Sequence, residues 1–174
     1  NMKLWIMGPA DEDEKYAKEC YDLVESLGVK DVEFTGRVNV RDYLGKMDFT
    51  LLTSISEGQP LTILESYAAH KPVITTDVGN CRELIYGNED GFGDAGILTH
   101  IMNIEEIAHA MVNMSINEEN RKRMGEAGYK RVNAFYRIDQ MKDVYREIYK
   151  GFSDSQNLSW TEESFKINGH YSNP

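Results

Sequence analysis

Residues 53–65 read TSISEGQPLTILE. An apolar, β-branched run ends at Thr53, a turn containing glycine and proline follows, and helical periodicity begins at Leu61. In open α/β sheets the ligand cleft lies where strands end, and a helix N-terminus there offers unpaired N–H groups and positive dipole to an anion. The stretch therefore predicts a strand, a tight turn and a helix that begins at a ligand cleft.

The same alternation of strand and helix continues on both sides of this stretch. Short apolar runs bounded by Gly, Pro, Asp or Asn alternate with longer segments of helical periodicity. This pattern predicts an α/β fold, a Rossmann-like parallel sheet with helices on both faces. The predicted strands are Leu4–Met7, Val32–Thr35, Phe49–Thr53, Val73–Thr76 and Ala95–Thr99. The predicted helices are Asp13–Leu27, Arg41–Lys46, Leu61–Ala69, Cys81–Ile85 and Ile104–Met114.

Two more helices are predicted to form a helical C-terminal end piece, Glu118–Ala134 and Ile138–Lys150. The second carries an apolar stripe at helical spacing, which predicts a core-facing surface made of Met141, Val144, Tyr145 and Ile148. Residues 1–150 are predicted to form one domain, truncated at its N-terminus because a strand begins almost at once. The polar residues 151–174 are predicted to be a weakly ordered tail.

Composition limits the partners that this chain can have. The formal net charge is −10 at pH 7, which disfavours nucleic acid and anionic membrane surfaces, since clustered Lys and Arg usually bind both. No apolar run is long enough to span a bilayer, and the N-terminus lacks a signal-peptide pattern, so a cytoplasmic protein without a membrane span is expected. The Cys and His residues have no metal-ligand spacing, so no metal or other cofactor is expected.

The turn and the first helical residues supply the candidate ligand contacts. Because proline has no N–H, the donors for a phosphate would be the backbones of Gln59, Leu61 and Thr62. Glu57 precedes the helix and Glu65 lies on it, so the two carboxylates can accept hydrogen bonds from different hydroxyl groups of one ligand. The residues alone leave open that Glu57 is a loop charge and Glu65 a partly solvated helix residue.

A second turn, after the second strand, would line the same cleft. Gly36 permits a close backbone approach, and Arg37 or Val38 could border a base. An ordinary turn with a solvated arginine stays open as an interpretation.

A third turn follows the fourth strand. Gly79 and Asn80 form a turn that leads into a short helix beside the cleft. Arg82 on that helix is expected to pair with Glu83 or with a neighbouring helix, and His70 is expected to close the helix that precedes the fourth strand.

In their order along the chain, these segments resemble the C-terminal domain of retaining GT-B glycosyltransferases over residues 3–150. Glu57 to Glu65 resembles the Glu-x7-Glu signature of that family, in its context of strand, turn and helix. The supporting segments are Ile6–Gly8, Phe34–Val38, Asp48–Ser54, Ala68–Asp77, Val78–Gly79 and Arg82–Ile85. Residues 56–60 (SEGQP) and 79–85 (GNCRELI) are most similar to the cytoplasmic transferases of Pel-type exopolysaccharide systems, which implies UDP-glucose as the donor.

The resemblance also implies a role for each site residue. Glu57 would be the catalytic residue that reaches the donor sugar, and Glu65 would hold the ribose hydroxyls. The sugar and diphosphate are expected to contact Glu57, Gly58, Gln59, Leu61 and Thr62, and the uracil to lie beside Gly36, Arg37 and Val38. Two segments depart from the family pattern: His70 stands where the family usually has glycine, and Thr99–Met102 replaces a proline-rich loop.

The function implied is transfer of a hexose, glucose, from a UDP-sugar to a growing polysaccharide or other glycan, with retention of configuration and without a metal. The acceptor would bind through an N-terminal domain absent from this sequence, and association with a membrane-bound polysaccharide synthase complex is a further expectation. The family places a basic pair for the leaving diphosphate on another strand that is also absent here. The isolated chain is therefore expected to bind nucleotide weakly and not to turn over.

Two functions of other kinds stay open. A non-catalytic interaction module would use the α/β sheet as a scaffold, and loss of Glu57 or Glu65 would leave its binding unchanged. A GT-B-shaped sugar-nucleotide epimerase would form a different product, although the segment from Glu57 to Glu65 argues against it.

Overall fold

A computed structural model describes residues 2–154 of the chain. The predicted strands and helices are all present, with ends that differ by a few residues at most. The strands are β1 Leu4–Met7, β2 Val32–Gly36, β3 Thr50–Leu52, β4 Val73–Thr76 and β5 Gly96–Thr99. The helices are α1 Glu14–Ser26, α2 Arg41–Leu44, α3 Leu61–Ala68, α4 Cys81–Tyr86, α5 Ile104–Ile116, α6 Glu118–Phe135 and α7 Ile138–Asp154.

The strands form two parallel sheets instead of the single sheet that was predicted. In one sheet β1 pairs with β2, with Leu4 opposite Val32. In the other the order is β3-β4-β5, with Val73 of β4 between Thr50 and Gly96. Within residues 2–154, β1 pairs only with β2 and β3 pairs only with β4. Each of these two strands therefore has one unpaired edge. Parallel strands joined through helices confirm the predicted α/β fold class.

The core lies around β4, whose four residues are all buried. Helices α3, α4 and α5 pack on this sheet, and their fully buried side chains include Ile63, Tyr67, Leu84 and Met114. Helix α6 approaches α3 closely at Gly128, where an added Cβ would lie 2.4 Å from the ring of Tyr67. The β3-β4-β5 sheet is therefore well packed, and α3 follows the end of its strand β3.

His70 closes α3, as predicted. It follows the C-cap residue Ala69 and has a φ of 56°, the left-handed conformation in which glycine most often ends a helix. In this chain the imidazole stacks on Tyr129, with ring centroids 3.7 Å apart, and its Nδ1 lies 3.2 Å from Glu126.

A buried ion pair joins α6 to the loop after α4. The Arg131 guanidinium donates to both carboxylate oxygens of Asp90 at 2.6 and 3.1 Å and to the carbonyl oxygens of Leu84, Ile85 and Gly93. Burial alone would raise the pKa of Asp90, but hydrogen bonds from Arg131 and from the Phe92 N–H outweigh it and lower that pKa. The side chain of Arg131 is 1% exposed and that of Asp90 is 4% exposed. Each buried charge is therefore stabilised by the other, and removing one would leave the other without a partner.

Helix α7 belongs to a second compact unit, which begins at Phe135. The prediction that its apolar stripe is core was wrong, because Met141, Tyr145 and Ile148 are 40–53% exposed. Within the described part of this unit, residues 135–154, α7 is the one helix that begins, so these residues offer no second layer against which to bury such a face. Helix α7 ends at Asp154, beyond the predicted end at Lys150, and the rest of the predicted tail lies outside the described residues. Across residues 2–154, no helix has the length and apolarity that a membrane crossing requires.

Candidate functional site

The N-terminus of α3 offers unpaired hydrogen-bond donors. Pro60 is its N-cap residue, with φ −72° and ψ 115°, and no side chain caps the helix. The Ile63 N–H bonds to the Pro60 carbonyl at 3.3 Å, whereas the N–H groups of Leu61 and Thr62 have no acceptor among the described residues. Both residues are exposed, so these donors are open to a ligand.

Two other helices are capped in the usual way. The Asp13 carboxylate accepts the Tyr16 N–H at the start of α1, and the Asn103 amide oxygen accepts the Glu106 N–H at the start of α5. A capped helix start has fewer donors left for an anion. Helix α3 therefore keeps at the carboxyl end of β3 the donors that α1 and α5 use internally.

Two carboxylates lie on either side of this helix start. Glu57 is half-buried in the preceding loop, and its Oε1 accepts a hydrogen bond of 2.7 Å from the Ser54 hydroxyl. Glu65 lies exposed in the second turn of α3. Neither carboxylate forms an ion pair with any described residue, so both are available as acceptors for hydroxyl groups.

The loop after β3 is held by the turn after β4. The Asn80 N–H donates to the Gly58 carbonyl at 2.8 Å, and the Thr76 hydroxyl donates to the Ser54 carbonyl at 2.5 Å. A Cβ added at Gly79, whose φ is +50°, would lie 2.2 Å from the Glu57 carbonyl oxygen. The third turn predicted from sequence thus contacts the Glu57 loop directly, and Gly79 permits this close approach.

Sequence analysis missed the two hydroxyl residues of this contact. Ser54 was seen only as part of a strand end, and Thr76 only as the last residue of β4. The signal that could have pointed to them is their position: each lies at the carboxyl end of a parallel strand, and Ser54 stands three residues before Glu57.

The predicted base turn lies at the end of the other sheet. Gly36 has a φ of +66°, and its carbonyl accepts the Gly8 N–H at 3.1 Å. Arg37 is exposed and lies 3.5 Å from Glu12, and Val38 is half-buried. Within residues 2–154, no hydrogen bond or ion pair joins this turn to the segment from 57 to 65. The structure thus brings Glu57 and Gly58 together with the turn after β4, while the base turn stands separately.

Arg82 has a different partner from the one predicted. Its guanidinium forms a hydrogen-bonded ion pair with Asp77, which precedes α4, and lies over the ring of Tyr86. The expectation of Glu83 or a neighbouring helix was wrong, because Asp77 turns back towards the first turn of the short helix. Arg82 is therefore not a free cation for a ligand.

Two shallow cavities open elsewhere on the molecule. They measure about 270 and 230 Å³ and lie beside β5, α4 and α5, and neither is lined by a predicted site residue. In the described part of the chain, no three His, Cys, Asp or Glu side chains are grouped so that they could hold a metal ion. Leu61, Thr62 and Glu65 of the candidate site are exposed, so this site is open at the surface.

The chain was compared with known protein families. Residues 1–131 match the profile of the family described as Glycosyl transferases group 1. The chain belongs to this family. The match includes both carboxylates, the start of α3 and the base turn, so the site described above lies wholly within the family domain.

Individual proteins are similar over most of this chain. An uncharacterized glycosyltransferase of Methanocaldococcus jannaschii is 29% identical over 145 residues, which are 82% of this chain and 40% of that protein. The N-acetyl-alpha-D-glucosaminyl L-malate synthase of Bacillus anthracis is 32% identical over 129 residues, which are 73% of this chain and 32% of that protein. The chain thus spans less than half the length of these relatives.

Solved structures share the fold. HepE of Anabaena, solved in complex with UDP-glucose, superposes with a TM-score of 0.74 at 20% identity, over 88% of this chain and 41% of HepE. Sucrose-phosphate synthase of Thermosynechococcus elongatus superposes with a TM-score of 0.73 at 20% identity, over 86% of this chain and 39% of that protein. At this level of identity the similarity shows a common fold.

Proposed function

We propose that this chain is the donor-binding domain of a retaining glycosyltransferase that transfers a hexose from a UDP-sugar to a glycan acceptor. The observation that carries the proposal is the uncapped start of α3, which lies between two carboxylates without cationic partners among the described residues. Free N–H donors attract phosphate, and carboxylates attract hydroxyl groups. A nucleotide-sugar has both kinds of group on one molecule.

The charges of the site suggest which residues contact which part of the donor. A carboxylate repels a diphosphate. Glu57 and Glu65 would therefore contact hydroxyl groups of the donor, with one carboxylate on each side of the diphosphate. Glu57, in the loop before α3, would accept from the transferred sugar, and Glu65 would accept from the ribose. The diphosphate would bind Gly58 and the backbone N–H groups of Gln59, Leu61 and Thr62. The uracil would lie against Gly36, Arg37 and Val38, as the resemblance to GT-B transferases implies.

The reaction requires stabilisation of the negative charge on the departing diphosphate. Residues 53–65 contain no Lys or Arg, and Arg82 is paired with Asp77. A helix N-terminus alone contributes about 0.3–1 kcal/mol at an exposed site, whereas enzymes lower barriers by roughly 8–23 kcal/mol. We therefore propose that this chain binds the donor but needs the remainder of a longer transferase, including its acceptor-binding part, for turnover.

UDP-glucose is the donor that we propose, for a cytoplasmic transferase of exopolysaccharide synthesis that associates with a membrane-bound synthase complex. The resemblance of residues 56–60 and 79–85 to Pel-type transferases supports this choice, as does the fold shared with HepE, which was solved with UDP-glucose. The name of the Bacillus anthracis relative points to an N-acetylglucosaminyl group instead. UDP-N-acetylglucosamine is therefore the competing donor. No metal is expected to take part.

Calorimetric titration tests the proposal. UDP, UDP-glucose and UDP-N-acetylglucosamine would be titrated into the chain, with ADP and GDP as controls for the base. We expect selective binding of uridine nucleotides. Equal binding of all the nucleotides, or of none, would contradict the donor-site assignment and favour the interaction module. Product analysis on a full-length transferase that contains this domain would separate transfer from epimerisation.

A further inference from the structure

We propose that Ser54 is a positioning residue, which holds Glu57 so that its second carboxylate oxygen accepts hydrogen bonds from the donor sugar. This inference rests on the proposed function and adds the reason why a loop carboxylate can act with a fixed direction. It concerns a residue outside the Glu-x7-Glu signature.

The backbone of Ser54 is fixed from the core. Its carbonyl oxygen accepts the hydrogen bond of the Thr76 hydroxyl at 2.5 Å. Thr76 is the last residue of β4 and is 1% exposed, so it cannot move without disturbing the sheet. Ser54 is therefore anchored to the best-packed strand of the molecule.

The side chain of Ser54 then fixes the side chain of Glu57. Its hydroxyl donates to Glu57 Oε1 at 2.7 Å, a short charge-assisted hydrogen bond. A glutamate in a surface loop otherwise populates many rotamers, and ordering it has an entropic cost. Because Oε1 is engaged, Oε2 is the oxygen that keeps its full capacity to accept hydrogen bonds from a ligand.

The backbone of Glu57 is restrained from the opposite side. The Asn80 N–H bonds to the Gly58 carbonyl at 2.8 Å, and Gly79 lies so close that an added Cβ would be 2.2 Å from the Glu57 carbonyl oxygen. Glu57 is thus held at its side chain by Ser54 and at its main chain by the turn after β4. Glu65, in contrast, is exposed and has no side-chain partner among the described residues.

This difference predicts a division between the two carboxylates. A group that acts on the reacting sugar has to be held close to its working geometry before the ligand arrives. A group that binds the ribose can adapt after binding. Removing the Ser54 hydroxyl should therefore weaken the sugar-dependent part of donor affinity and leave the part due to UDP unchanged.

The experiment compares the dissociation constants of UDP and UDP-glucose for four proteins: the unchanged chain, Ser54→Ala, Ser54→Thr and Ser56→Ala. Ser56→Ala is the matched control, because Ser56 is an exposed serine of the same loop that makes no hydrogen bond to a described residue. We expect Ser54→Ala to bind UDP-glucose about tenfold more weakly, the size expected for one hydrogen bond to a charged group, with UDP affinity unchanged. Ser54→Thr should restore UDP-glucose binding, and Ser56→Ala should behave as the unchanged chain.

A double mutant shows whether Ser54 acts through Glu57. In a Glu57→Ala background, which removes the acceptor of the Ser54 hydroxyl, Ser54→Ala should cause no further loss of UDP-glucose affinity. An equal loss of UDP and UDP-glucose affinity in Ser54→Ala, additivity with Glu57→Ala, or equal affinity of the unchanged chain for UDP and UDP-glucose would overturn the proposal. Failure of the unchanged chain to bind either nucleotide would instead refute the proposed function on which it rests.

Discussion

Gly79→Ala tests the contact between the turn after β4 and the Glu57 loop. The new Cβ would lie 2.2 Å from the Glu57 carbonyl oxygen and 2.5 Å from that of Gly58, so the loop has to retreat by about 1 Å to reach ordinary contact. The φ of +50° at this position adds about 1–2 kcal/mol for an L-residue. The Asn80 N–H bond to Gly58 would be lost or lengthened, at a cost of about 1 kcal/mol.

Together these terms predict that Gly79→Ala destabilises the fold by about 2–4 kcal/mol. For a chain of this size, that loss corresponds to a decrease in Tm of roughly 5–15 °C. The displaced Glu57 should also bind UDP-glucose more weakly, because its carboxylate would no longer lie where it can accept hydrogen bonds from the sugar. Thermal denaturation followed by circular dichroism, with a parallel titration of UDP-glucose, measures both effects.

Two other glycines separate the causes. Gly28 has a φ of +63° but open space around its added Cβ, so Gly28→Ala should show only the conformational cost of about 1–2 kcal/mol. Gly45 has a φ of −62° and open space, so Gly45→Ala should change stability little. If Gly79→Ala were no more destabilising than Gly28→Ala, the close approach of Gly79 to the Glu57 loop would not contribute to stability. That result would refute the predicted steric cost.

The buried ion pair gives two further predictions, and the second unit gives a third. Arg131→Met should destabilise the chain by about 3–5 kcal/mol in urea denaturation, because it leaves the Asp90 charge buried without its partner; a loss below 1 kcal/mol would contradict this. The folded-state pKa of Asp90 is lowered from its ordinary value of 3.8. The contribution of Asp90 to the free energy of unfolding is therefore complete above about pH 4, and it is lost as the pH falls through the folded pKa. The difference in Tm between the unchanged chain and Asp90→Asn should therefore narrow from pH 5 to pH 3, and a constant difference would speak against the shift. A hydrogen bond from Arg137 lowers the pKa of Asp139 to about 2, so carboxyl titration by NMR should find that value and Arg137→Gln should raise it.

Strand and helix order could be predicted from the sequence because local signals mark it. β4, for example, is a four-residue β-branched run bounded by proline and aspartate, and α3 starts directly after proline. Sheet pairing could not be predicted in the same way. Which strands become neighbours depends on tertiary packing, and nothing in the β1 or β3 sequence states that these two strands do not pair.

Amphipathic periodicity was similarly incomplete as a guide to α7. The spacing of Met141, Tyr145 and Ile148 correctly indicates a helix with one apolar face. It does not indicate what covers that face, because burial depends on a second element. In the structure these side chains are exposed, although their spacing is that of a core helix.

The candidate site shows the same division. Glu57 and Glu65 are visible in the sequence because a strand, a turn and a helix start follow one another locally. The hydrogen bond from Thr76 to Ser54, in contrast, joins residues 22 positions apart. Such a contact depends on how distant segments of the chain meet, which local rules do not describe.

The most direct test of donor binding is the affinity of UDP for the unchanged chain, Glu65→Gln and Glu25→Gln. Glu25 is an exposed glutamate near the end of α1 and belongs to none of the segments that form the candidate site. A ribose-binding Glu65 predicts that Glu65→Gln weakens UDP by about tenfold or more, as loss of a charged hydrogen-bond acceptor would, while Glu25→Gln leaves it unchanged. Equal affinity in all three proteins, or no UDP binding at all, would contradict a nucleotide-sugar site at the start of α3.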